Sequence, residues 1–112
     1  MDLARKENLL SHLTSIVAVV SVSAEHAATV EQEFVRCTVA SRQEEACKRY
    51  VVSRDLEKEG RFTAQEEWAS REGFEEHLQT PHFRALARLL EKLGAKVDVL
   101  RVRPLDDITD AV

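Results

Sequence analysis

Glu66 and Trp68, followed by His77 and then Pro81-His82-Phe83, are the residues of this chain whose types and spacing best suit chemistry. On a strand, residues 66 and 68 share a face, because side chains alternate across the pleat. A helix laid over that face would bring His77 to the same hollow. An acid, an aromatic wall and an imidazole around one cavity suit proton transfer on a small molecule, since histidine titrates near neutrality. Glu66 needs a partner, because an unpaired acid on a buried face costs several kcal/mol. The sequence offers His77 for this, or a structural arginine such as Arg49 or Arg54.

Plainer uses exist for the same residues. Large aromatics dominate domain interiors, so Trp68 also reads as core. His77, between Phe74 and Leu78, also reads as a satisfied core histidine, and His82 as a solvated or capping residue. His77 and His82 stand five apart across a proline, without the same-face spacing of a helical zinc site, and no third ligand is evident. No metal is expected.

The elements that must position these residues follow from periodicity. Residues 15–23 (SIVAVVSVS) are β-branched and apolar on both parities, as in a central strand buried on both faces. Ser23 then caps an amphipathic helix carrying Ala27, Val30, Phe34 and Cys37 on one stripe, to about Arg42. A second strand over 47–55, a hairpin loop over 56–60 and a return strand over 61–69 come next. Phe62, Ala64, Glu66 and Trp68 share one face of that third strand. Ser70 caps a short helix with Phe74, His77 and Leu78 on one side. Pro81 opens a further helix with a Phe83, Leu86, Ala87, Leu90, Leu93 stripe, ended by Gly94. The last strand spans 96–103. This order is that of an α+β, ferredoxin-like βαββαβ fold, an antiparallel sheet with helices on one face.

The 112 residues suffice for one domain, read as 15–103 between an N-terminal extension (1–14) and a C-terminal tail (104–112). Sixteen basic against twenty acidic residues, interspersed, give a net charge of -4 and no basic stripe, which argues against nucleic acid. No run approaches the ~18 apolar residues of a membrane span, so no membrane partner is expected. Cys37 and Cys47 form neither a metal spacing nor a disulfide framework, which fits a cytoplasmic location. The uncovered sheet face leaves apolar surface that a monomer rarely exposes, so a homodimer through the sheet faces is expected.

Cys47, Tyr50, Asp55, Phe62, Glu66-x-Trp68-x-Ser70, Phe74, His77 and Pro81-His82-Phe83 form an ordered series that resembles the antibiotic biosynthesis monooxygenase (ABM) domain family of dimeric α+β barrels. One departure is Glu45-Ala46, where the family often has Pro-Gly. The resemblance implies a ferredoxin-like protomer that dimerises through its sheets, with a pocket between sheet and helices. Its known activities include cofactor-independent oxidation of quinols and polyketide phenols, haem degradation, and isomerisation of a phosphorylated signalling sugar. Haem degradation implies a helix tryptophan, a first-strand asparagine and a last-helix histidine; this chain has His77, Ala18 and Ala87 there. The polyketide-type branch implies polar groups around the strand tryptophan, where this chain has Ala64 and Phe74, although Arg88 supplies a positive charge.

The resemblance therefore implies a monooxygenase without cofactor, acting on a quinol-like or phenolic molecule. His77 would act as base and Glu66 would orient it. Trp68 and Phe83 would stack on the substrate, Tyr50 would hydrogen-bond a substrate oxygen, and Phe74 and Arg88 would complete the site. A non-catalytic dimeric small-molecule-binding module and an isomerase-type member stay open as alternatives.

Overall fold

The computed structural model describes residues 13–105. Strand β1 (Thr14–Ser21) alternates from Ile16 onward: Ile16, Ala18 and Val20 are buried beneath the helices, whereas Val17 and Val19 on the reverse face are half-buried. Among the described residues of one chain, β1 is therefore buried on its helix face and only partly on the reverse face. Thr14 already belongs to the strand; residues 1–12 of the expected extension, and the tail from 106, lie outside the described residues.

Strands β2 (Cys47–Arg54) and β3 (Arg61–Trp68) form the expected hairpin, and β4 (Lys96–Val102) closes the sheet. The order is β2-β3-β1-β4 with every neighbouring pair antiparallel. Tyr50, Glu66 and Ile16 lie in register across three strands, which sets an acid among apolar neighbours on the covered face. The hairpin closes at Gly60, whose φ of +88° favours glycine and whose carbonyl accepts from Val22 N–H at 2.9 Å. Every β4 residue is exposed, as expected of an edge strand with one neighbour.

Helix α1 (Ala27–Ser41) buries Ala27, Val30, Phe34 and Cys37 against the sheet, the stripe read from the sequence. It begins later than Ser23 suggests. A 3₁₀ turn, Ala24–His26, intervenes, and the Ser23 side chain makes no capping bond. Helix α2 (Arg71–His77) is capped as expected: Ser70 Oγ accepts from Gly73 N–H at 3.0 Å. Helix α3 (Pro81–Lys92) has proline in its first turn and Thr80 as its cap, and its Leu86 and Leu90 reach the core. Gly94, at φ +67°, ends that segment, so the chain can turn back into β4. Three helices over one face of a four-stranded antiparallel sheet make the α+β, ferredoxin-like architecture.

Candidate functional site

Sheet and helices do not meet everywhere. Between them lies a cavity of ≈ 380 Å³, walled by Ile16, Ala18 and Ala64 from the sheet and by Phe74, Phe83 and Leu86 from the helices. Val97 and Val99 of β4 stand at its rim, half-exposed, so it opens at the sheet edge. Among the described residues, Glu66, His77, Tyr50 and Glu91 bring polar side chains to a lining that is otherwise apolar.

Glu66 is 8% exposed and takes no arginine: Arg49 bonds Gln65, and Arg54 pairs with Glu31. Its Oε1 instead accepts from Trp68 Nε1–H at 3.0 Å, a bond that same-face i, i+2 spacing allows. Burial pushes the carboxyl up to about 7; the indole N–H draws it back only in part, and the nearby charge of Glu44 adds to the rise. A group so placed exchanges protons near neutrality. Its cost of burial is relieved by protonation rather than by a cation.

His77 is 1% exposed and stacks on Trp68, with ring centroids 4.4 Å apart and 34° between planes. It is bonded to Glu44 rather than Glu66, with Nδ1 2.7 Å from Glu44 Oε2. His82 Nε2 lies 2.8 Å from the same oxygen. A carboxylate only accepts, so both nitrogens carry the protons and the neutral His77 ring keeps its lone pair on Nε2. The His77 ring lines the cavity, and among the described residues no fully buried side-chain nitrogen or oxygen lacks a partner. Burial lowers the His77 pKa, against the hydrogen bond and charge of Glu44, and keeps the ring neutral.

Two sequence expectations change here. Glu44, not Glu66, orients His77, and it stands on the turn before β2, 33 residues away in sequence. No pattern in residues 41–46 marks it out. A third group beside His77 and His82, not evident in the sequence, is also present: His77 ends α2, His82 stands in the first turn of α3, and the bend between them turns both rings toward Glu44.

The remaining expected residues divide. Phe74 and Phe83 line the cavity. Trp68 is wholly buried behind Glu66 and His77 and does not line it; it positions those two groups instead of stacking on a ligand. Tyr50 presents its ring, but its hydroxyl lies 3.5 Å from Cys37 Sγ, and burial holds its pKa far above the ordinary phenol range. The expected Tyr50 bond to a substrate oxygen therefore competes with a partner inside the core. Arg88 is exposed on α3 and does not line the cavity, because it falls off the Leu86–Leu90 stripe. Gly73 and Thr80 support the site without a side chain whose chemistry marks them in the sequence. Gly73 lets α2 pack on the Glu44 turn, and Thr80 Oγ1 donates to the His77 carbonyl at 2.7 Å while capping α3.

Comparison with known proteins gives the same frame. No curated protein sequence matches the chain. A candidate antibiotic biosynthesis monooxygenase from Deinococcus radiodurans is similar at 30% identity and a TM-score of 0.75, over 81% of this chain and 91% of that one. A Pseudomonas aeruginosa protein is similar at 27% identity and a TM-score of 0.73, over 85% and 98%. A candidate antibiotic biosynthesis monooxygenase from Nitrosomonas europaea, at 15% identity and a TM-score of 0.78 over 84% and 91%, shares the fold. The family model for antibiotic biosynthesis monooxygenase matches residues 14–89, from the start of β1 to well inside α3, which takes in Glu66, Phe74, His77 and Phe83 of the cavity wall. The chain is a member of the antibiotic biosynthesis monooxygenase family.

Proposed function

We propose that the protein is a cofactor-independent monooxygenase of quinol-like or phenolic small molecules, working as a homodimer through its sheet faces. The observation that carries this reading is that Glu66, titrating near 7, and a neutral His77 both line one largely apolar cavity. The apolar lining suits a flat, largely uncharged substrate, held between Phe74 and Phe83. His77 Nε2 takes a hydroxyl proton, and the electron-rich anion reduces dioxygen. The electrons balance without an added reductant: hydroquinone and O₂ give hydroxyquinone and water. Glu66, half protonated near neutrality, supplies the proton with which the second oxygen atom leaves as water.

The dimer is supported by the reverse face of the sheet, where Leu100 is 52% and Val102 41% exposed beside half-buried Val17 and Val19. Oxygen uptake with a panel of hydroquinones tests the chemistry. His77→Ala should lower the rate by roughly 100-fold, the usual worth of a positioned base. Equal rates in both proteins would remove His77 from the mechanism. No uptake by the natural protein with any quinol would leave a binding module in place of an oxygenase.

A further inference from the structure

The geometry points to a binding site for a divalent transition-metal cation, of the zinc type, formed by Glu44, His77 and His82. Their ligand atoms lie within 4.8 Å of one another, and His77 Nδ1 and His82 Nε2 both aim at one point, now held by Glu44 Oε2. Convergent imidazoles are the costly part of such a site, and here the fold supplies them: His77 is fixed by Trp68 behind it, and His82 by the first turn of α3. The carboxylate, on a turn, needs to draw back by only about an ångström to admit an ion at ~2.0–2.1 Å from each nitrogen. Two imidazoles and one carboxylate are a donor set that suits zinc, iron or nickel better than calcium or magnesium.

Access and charge agree with this. The Glu44 and His82 side chains are 16% and 21% exposed, and Glu44 lines a surface groove of ≈ 590 Å³. Glu45 and Glu76 on that groove add negative potential, opposed by Lys48. With both rings neutral the three ligands carry one negative charge.

The site does not depend on the oxygenase reading, but it bears on it. An ion on Nδ1 forces the remaining ring proton onto Nε2, so the cavity side of His77 can donate but no longer take a proton. Occupancy and base action exclude one another, and zinc should stop any oxygen uptake that His77 supports.

The test is calorimetric titration of tag-free, chelator-treated protein with zinc chloride. One ion per chain is expected, with affinity falling roughly tenfold or more in His82→Ala, since a ligand is lost, and unchanged in His26→Ala. His82→Gln, whose amide nitrogen takes the place of Nε2 toward Glu44 but is a poor zinc ligand, should match His82→Ala; circular dichroism confirms that each variant is folded. Unaltered zinc affinity in both His82 variants, or no binding by the natural protein at millimolar zinc, overturns the site. A protein that binds zinc here yet never consumes oxygen with quinols would sink the oxygenase reading and leave the site standing.

Discussion

Glu66 is where side-chain chemistry and stability meet. It titrates near 4.5 when unfolded and near 7 when folded, so between those values the folded chain holds more protons. Stability therefore falls as pH rises through that window, by about 3 kcal/mol in all, and the deficit persists above it. His77 has the opposite sign: burial lowers its pKa, so the folded chain holds fewer protons and stability rises as pH climbs toward 6.5. Glu66→Gln removes the first slope alone. The variant should match the natural protein at about pH 5 and exceed it by roughly 2–3 kcal/mol at about pH 8. Urea midpoints across that range check this, and parallel curves for the two proteins would refute the buried, titrating acid.

At the scale of elements, the site is an agreement between one turn and two short helices. Ala69 N–H bonds the Ala46 carbonyl at 2.8 Å, stitching the turn before β2 to the end of β3. Helix α2 then lies so close that a Cβ on Gly73 would stand 2.4 Å from Ala46 Cβ. Gly73→Ala should therefore destabilise the fold by about 1–3 kcal/mol, as overpacking does. It should also push the Glu44 turn off His77, a displacement that the ring signals of His77 in NMR would report. A variant with native stability and unmoved His77 signals would show that this contact does not hold the triad.

For the molecule as a whole, the question is what covers the reverse face of the sheet. Leu100 sits opposite Val17 in register on that face, while Val99 turns inward to the cavity rim. Leu100→Glu should convert a dimer to a folded monomer at micromolar concentration, by light scattering after size exclusion, whereas Val39→Glu on exposed α1 surface should leave it dimeric. A dimer that survives Leu100→Glu but not Val39→Glu would move the interface to the helices.

Periodicity alone determined most of this fold. A β-branched apolar run placed β1 and two-residue alternation placed β3, each within one or two residues, the i, i+3, i+4 stripes placed α1 and α3, and Ser70, Pro81 and Gly94 punctuated the chain where they stand. The Glu66–Trp68 pair was legible for the same reason, because a strand's face is a local property. The start of α1 was not, since a 3₁₀ turn and a helix share the same N-terminal signals. Nor was the partner of His77. A hydrogen bond between residues 44 and 77 leaves no period in the sequence; it exists because α2 rests on a turn from elsewhere in the chain, and only packing in three dimensions decides which carboxylate arrives there.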